Sequence, residues 1–222
     1  IAAAAVSPFV GAIDKAVVQS VSGSASILQS LKSSFGEMAA GGVRGVVAAP
    51  QFRYLFAMYT GTYATANAIR TVYEVREADP SLALCVGTTA VNTYLSLVKD
   101  RALAQIFGAS ASASAAKGVP LTAYGWWVGR DAVTMGMVFT APPKVSNLLQ
   151  TNLGWSPNSA DVTATLAIPV VIQPFTTAMH LFGIELVNRP NSVALSSRLE
   201  VVGKSYGESL VARTGRIFVP YR

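Results

Sequence analysis

Opposite charges stand side by side at three places within the apolar segments of this chain, which carries few charges. Arg130-Asp131 is the most isolated pair, because uncharged residues run for about twelve positions on both sides. Ionisable side chains within an apolar segment are candidates for a substrate or ion site, since a buried charge without a partner is costly. Three interpretations of the pair stay open: a site lining a cavity, a tie between helices, and a position among lipid headgroups. Adjacent residues point about 100° apart on a helix, so we expect each to meet a group on another helix.

His180 is the only histidine, and Cys85, the only cysteine, lies in a different segment. A metal site needs several ligands close together, so we predict a hydrogen-bonded interior histidine, no bound metal, and a small buried thiol. The chain contains no nucleophile–base–acid set, no GxxxxGK loop and no CxxC motif. We therefore predict no enzymatic activity and no cofactor. A bound phospholipid such as cardiolipin is the one non-protein ligand that we consider.

The composition predicts that lipid surrounds the elements that hold these charges. Hydrophobic residues make up 51% of the chain, charged residues only 13%, and the mean hydropathy is +0.43. Ordinary soluble domains carry about 25% charged residues. The uncharged runs Ser81–Val98 and Val162–Ile184 are long enough to cross a bilayer, and Tyr54–Ile69 comes close. The alternative is a large soluble helical protein, which would need a polar surface that this chain cannot supply.

The net charge of +6 does not indicate nucleic-acid binding. The basic residues stand singly at the ends of apolar segments and form no stripe, a pattern that suits anionic headgroups. We therefore expect membrane lipids, and not nucleic acid, as partners.

The apolar segments predict five membrane helices and the start of a sixth, within one domain over 1–222. The predicted helices cover about 1–21, 52–74, 82–107, 121–149, 162–187 and 208–222, with amphipathic stretches at 27–38 and 193–202. Pro142-Pro143 is predicted to bend or end the fourth helix.

Three stretches of the chain resemble one another at intervals of about 80–90 residues. They begin with Ser7-Pro8-Phe9, Thr93-Tyr94-Leu95 and Gln173-Pro174-Phe175, and polar groups follow about two turns later. The repetition predicts three units, about 1–79, 80–160 and 161–222, with helices bent at Pro8 and Pro174. In the first two units the equivalent charged residues are Asp14, Lys15, Lys99, Asp100 and Arg101. A ring of contacts at headgroup depth is the interpretation that we favour for them.

Several short motifs resemble the mitochondrial carrier family. Gly41-Gly42-Val43-Arg44-Gly45 is similar to a carrier's glycine-rich turn, Thr71-Val72-Tyr73-Glu74 to the end of an even-numbered helix, and the run 210–216 to the approach to the last helix. The resemblance implies an all-α membrane protein, a three-repeat bundle with five to six transmembrane helices. It also implies the mitochondrial inner membrane, with the outer membrane as a less favoured location.

The charges that close a carrier's gate are missing. In carriers an acidic residue stands two positions after the helix proline, and a basic residue follows three further on. Here Val10 and Thr176 occupy the acidic positions, and Ile13 and Met179 the basic ones. A gate held by ion pairs cannot form without both partners.

Three functions are consistent with this resemblance, and we give them in order of preference. The first hypothesis is a non-enzymatic accessory subunit of a large inner-membrane assembly, such as the respiratory chain or ATP synthase, with other membrane subunits as partners. The alternative is a divergent solute transporter whose cavity uses Arg53, Arg130, Asp131 and His180. A carrier-like fusion or import factor of the outer membrane is a third, less favoured possibility.

Overall fold

The computed structural model describes residues 2–108, 118–189 and 193–221, and in these ranges the chain is helical throughout, without a strand. The described residues form seven α-helices and a final 3₁₀ turn. These are α1 (Ala2–Ser22), α2 (Ile27–Ala48), α3 (Pro50–Val75), α4 (Ser81–Phe107), α5 (Leu121–Leu153), α6 (Pro157–Asn188), α7 (Leu195–Gly215) and the 3₁₀ helix Arg216–Tyr221. The all-α prediction is confirmed.

Local capping explains several of the helix boundaries. Ser26 starts α2 by accepting a hydrogen bond from the Gln29 backbone N–H at 3.3 Å, and Ser156 does the same for α6 from Ser159. Gly154 ends α5 with a φ of 65°, a left-handed conformation that glycine adopts without strain. Only three residues, 154–156, separate α5 from α6.

Helix α1 is the central element of the bundle. It contacts α2, α3, α4, α6 and α7, and its residues Ala12, Ala16 and Val17 are completely buried. Small side chains let the neighbouring helices approach closely. At Gly11, an added Cβ would lie 3.0 Å from the backbone oxygen of Gln51, so α3 packs directly on the α1 backbone.

The most extensive helix pairing joins α5 to α6. Trp127 is completely buried there and lies over Gly183, where an added Cβ would come 2.6 Å from Trp127 Cδ1. The indole N–H points to the backbone oxygen of His180 at 3.4 Å. This packing fixes the rotation of α6, and therefore the direction of His180.

The prolines lie inside continuous helices. Pro8 is within α1 and Pro174 within α6, and the bends expected at them stay predictions. The adjacent prolines Pro142 and Pro143 do not end α5, which continues to Leu153. The predicted end of that helix near 149 was therefore too early.

The glycine-rich turn expected at 41–45 is reduced to one residue. Gly42, at φ 54° and ψ −145°, interrupts an otherwise helical α2 that continues to Ala48. The buried face of α2 consists of Ile27, Ser30, Ser34 and Met38, whereas Leu28 and Phe35 are exposed. Two of the four buried residues are polar, and the exposed face combines Leu28 and Phe35 with the polar Gln29, Lys32 and Glu37.

The predicted amphipathic stretch 193–202 and the predicted sixth helix are not separate elements. Helix α7 runs without interruption from Leu195 to Gly215 and is followed by the 3₁₀ turn.

Among the described helices, α4 and α6 are long and apolar enough to cross a bilayer. Helix α4 directs large apolar side chains outward, including Leu82 and Val86, which are 77% and 60% exposed. The count of five to six spans and the three-repeat carrier bundle are not confirmed. The single domain and its repeat boundaries stay predictions.

Candidate substrate cavity

A buried lysine joins the first two charged clusters. Lys99 Nζ lies 2.7 Å from Asp14 Oδ2 and 2.6 Å from Asp100 Oδ1, and all three side chains are buried. These three charges therefore lie inside the helix bundle and not on its outer surface. The ring of contacts at headgroup depth stays a prediction. Burial is tolerable because each charge meets an opposite charge at hydrogen-bonding distance.

Arg130 extends this network from α4 to α5. Its Nη1 donates to Asp100 Oδ2 at 2.6 Å, its Nη2 to Ser96 Oγ at 2.9 Å, and its Nε to Asp131 Oδ1 at 2.8 Å. The tie to another helix was among the interpretations of Arg130. We expected each residue of the Arg130-Asp131 pair to meet a group on another helix. Arg130 does so at Asp100 and Ser96, whereas Asp131 accepts from the adjacent Arg130.

His180 completes the network from α6. Its Nδ1 lies 2.7 Å from Arg130 Nη1 and 3.9 Å from Asp100 Oδ2. Because arginine can only donate, Nδ1 accepts and the ring proton sits on Nε2. In the described ranges, no group of three or more His, Cys, Asp or Glu side chains could hold a metal ion.

A cavity of about 290 Å³ opens beside this network, between α1, α3, α4, α5, α6 and the end of α7. Leu55 and Ile172 contribute apolar wall, whereas Asn92, Thr134 and Thr176 contribute neutral polar groups. The charged wall consists of Asp14, Lys99, Arg130, Asp131, Arg213 and Arg216. The helices thus border a small, partly open space whose wall includes six charged side chains.

Two basic residues of the cavity were not among the predicted site residues. Arg213 is buried at the end of α7 and donates from Nε to Thr177 Oγ1 at 3.2 Å. Arg216 pairs through Nη1 with Asp14 Oδ1 at 2.5 Å. Their spacing of three residues places both on one helix face, a signal that was present in the sequence.

Three predicted candidates lie away from this cavity. Arg53 is exposed and donates from Nε to the Val47 oxygen at 2.8 Å, and Arg101 is also exposed. Lys15 is buried, pairs with Glu37 at 3.4 Å, and lies 5.3 Å from the centre of the Phe107 ring. The roles expected of these residues stay predictions.

A cavity with charged side chains between apolar helices is the arrangement that membrane transporters use to hold their solutes. The chain belongs to a family described as a probable citrulline exporter, whose model matches residues 1–221. No curated protein and no solved structure matches the chain.

This family assignment corrects the resemblance drawn from the motifs. The chain is not a member of the mitochondrial carrier family, and the accessory-subunit hypothesis is contradicted because the family is described as a probable exporter. The mitochondrial and respiratory-chain assignments have no support in this finding. The membrane location stands, and the alternative of a solute transporter fits better than the hypothesis that we favoured.

Proposed function

We propose that the chain carries citrulline, or a closely similar neutral amino acid, across a membrane through the cavity beside Arg130 and Asp131. The observation that carries the proposal is the cavity itself, about 290 Å³ in volume and lined by charged and neutral polar groups between apolar helices. The volume lies near the lower end of small-molecule sites, about 300 Å³, which suits a solute of amino-acid size. The family description supports the substrate.

The wall offers what such a solute requires. Citrulline carries an α-carboxylate, an α-ammonium and a neutral ureido side chain that both donates and accepts hydrogen bonds. Charged groups on one part of the wall match the first two. Asn92, Thr134 and Thr176 supply neutral partners for the third.

The charge network of Lys99, Asp100 and Arg130 serves as a fixed frame beside the substrate. Each of these groups already has an opposite charge within 2.7 Å. Recruiting any of them to the substrate would break a buried ion pair, which is strongly unfavourable.

Helices α1, α3 and α5 cross the bilayer together with α4 and α6 in this proposal, giving five spans. At about 1.5 Å rise per residue, the 26 residues of α3 reach about 39 Å, more than the hydrocarbon core. Its exposed Phe56, Tyr63 and Val72 are apolar or amphipathic and are favourable in lipid. Membrane lipid is the surrounding partner, and the proposal includes neither an enzymatic step nor a cofactor.

Uptake of labelled citrulline into proteoliposomes preloaded with citrulline tests the proposal. A matched pair of variants on α5 locates the route, because Thr134 lines the cavity whereas Thr140 is exposed on the same helix. Both threonines bond the backbone oxygen four residues back. Thr134→Trp should abolish exchange and Thr140→Trp should preserve it. Folded wild-type protein that exchanged no citrulline above protein-free liposomes would overturn the function, and equal rates for the two variants would overturn the route.

A further inference from the structure

We propose that Asp131 and Arg213 bind the two ends of a zwitterionic amino-acid head group, Asp131 the α-ammonium and Arg213 the α-carboxylate. The assignment rests on the proposed function of the cavity as an amino-acid route. It identifies which wall residues contact substrate and which only hold the helices together.

Asp131 has one engaged and one free carboxylate oxygen. Its Oδ1 accepts from Arg130 Nε at 2.8 Å and lies 2.6 Å from Arg130 Nη2. Its Oδ2 is buried and has no hydrogen-bond partner in the parts of the chain that the structure describes. An unsatisfied buried carboxylate oxygen is costly, and an ammonium group entering the cavity supplies three donors to relieve it.

Arg213 is the complementary case. Its side chain is only 2% exposed, yet no carboxylate among the described residues lies within 4.0 Å of it. The one hydrogen bond of its guanidinium in those residues runs from Nε to Thr177 Oγ1, at 3.2 Å. The two terminal nitrogens remain for a ligand, and their planar fork matches a carboxylate.

The other charges of the cavity wall are already matched. Lys99 and Arg216 share Asp14, and Arg130 is held between Asp100 and Asp131. Among the charged residues that line the cavity, one oxygen of Asp131 and the guanidinium of Arg213 are left without an opposite charge in the described part of the chain. Opposite charges of this kind suit a solute that is itself neutral but carries both signs.

The charges that line the cavity also predict which solutes bind weakly. Four basic and two acidic side chains line the cavity, with Asp100 behind them. Loss of the substrate carboxylate should therefore weaken binding more than loss of the ammonium. A cationic side chain, as in arginine, should be repelled, whereas a neutral ureido group meets Asn92 and Thr134 without penalty.

Substrate analogues test the assignment on unaltered protein. Competition against labelled citrulline is measured for citrulline α-amide, which lacks the carboxylate, for N-acetylcitrulline, which lacks the ammonium, and for arginine. Because a hydrogen bond to a charged group is worth about 1.5–3 kcal/mol, each modified head group should compete roughly 10- to 150-fold less well than citrulline. The amide should be the weaker of the two. A loss below about tenfold for either analogue overturns the assignment of that end of the substrate.

Variants then identify the residue that reads each end. Arg213→Gln should reduce the difference between citrulline and its amide to near unity and preserve the discrimination against N-acetylcitrulline. Asp131→Asn should reduce the difference between citrulline and N-acetylcitrulline to near unity and preserve the discrimination against the amide. Arg53→Gln and Asp79→Asn are matched controls, because both residues lie off the cavity and should leave both differences unchanged. A merely structural role would weaken all ligands alike, which overturns the assignment; where a variant fails to fold, the analogue series on the wild type decides.

Ligand-induced thermal stabilisation of the purified protein separates this inference from the proposed function. Head-group-dependent stabilisation by another amino acid, without citrulline exchange, would reject the substrate and keep the roles of Asp131 and Arg213. Citrulline exchange without head-group dependence would reject those roles alone. Neither stabilisation nor exchange would reject both.

Discussion

Lys99 Nζ lies 2.7 Å from Asp14 Oδ2, so one buried ion pair joins two residues that stand 85 positions apart. The pair connects α4 to the central helix α1. Both groups also bind a second charge, Asp100 for Lys99 and Arg216 for Asp14. The contact therefore links the wall of the cavity to the helix around which the bundle is packed.

Removal of the Lys99 charge should destabilise the protein strongly. Lys99→Met removes one of the two basic partners of both Asp14 and Asp100, which keep only Arg216 and Arg130. Breaking a buried pair typically costs about 3–5 kcal/mol. We expect a large fall in the unfolding temperature in detergent. Lys204→Met is the control, because the Lys204–Glu200 pair has the same 2.7 Å separation but is exposed, and exposed pairs contribute about 0–1 kcal/mol. Similar effects of the two substitutions would contradict a structural role for Lys99.

Gly183→Ala should displace Trp127. The new methyl group would lie 2.6 Å from Trp127 Cδ1, and the indole is enclosed on all sides. Overpacking of this kind costs about 1–3 kcal/mol, which thermal unfolding and the tryptophan emission spectrum would both report. Gly136→Ala on α5 is the control, since nothing lies within 4 Å of an added Cβ there. That variant should be neutral or more stable by up to about 1 kcal/mol; a loss at 136 as large as at 183 would rule out the clash.

Val86→Asp should impair membrane insertion of α4. Val86 is 60% exposed on a helix apolar enough to span, so we expect its side chain to face lipid. An aspartate costs about 2.5–3.5 kcal/mol at the centre of a span, which is an upper bound for Val86 because it is the sixth residue of α4. Extraction by alkaline carbonate and glycosylation mapping measure the effect, with Val86→Leu as the conservative control. Unchanged integration of the aspartate variant would show that this face does not meet lipid.

Acid should loosen the first turn of α4 before the rest of that helix. Asp79 accepts hydrogen bonds from the backbone N–H of Ser81 at 3.0 Å and from its hydroxyl at 2.6 Å, and these bonds lower the pKa of Asp79 below 3.8. Because the folded-state pKa is lowered, the bonds stabilise the turn above about pH 4 and are lost as the pH falls further. The protection factors of the amides of residues 81–84, measured by hydrogen exchange and corrected for the intrinsic rate at each pH, should fall in that range in the wild type. The variant Asp79→Asn should show no such step, and an identical step in both would assign the change to another group.

Three of the predicted site residues lie together in the structure. Arg130, Asp131 and His180 were selected because charges and a single histidine are rare in apolar segments, and the structure places them in one network. Arg213 was not among the predicted site residues because it stands in a more polar helix, where a single arginine is not distinctive. Its proposed role depends on its burial and on the lack of a nearby carboxylate among the described residues.

The resemblance to carriers failed for a related reason. Prolines in apolar helices and glycine-rich turns recur in many membrane proteins, since neighbouring helices satisfy the freed backbone groups. Such motifs indicate a lipid environment more strongly than they indicate one family. The absence of gate charges at Val10 and Thr176 was already inconsistent with a working carrier.

The sequence by itself determined that this protein is helical and resides in a membrane, because long uncharged runs and the spacing of apolar residues act locally along the chain. It also determined most helix boundaries, such as the start of α2, where the capping residue Ser26 lies next to the turn that it begins. Only the tertiary structure decided which charges are paired and which are free. Asp14 meets Lys99, and Asp131 keeps an unengaged oxygen, because packing brings together groups from distant segments, and the energy of a buried charge depends on those neighbours.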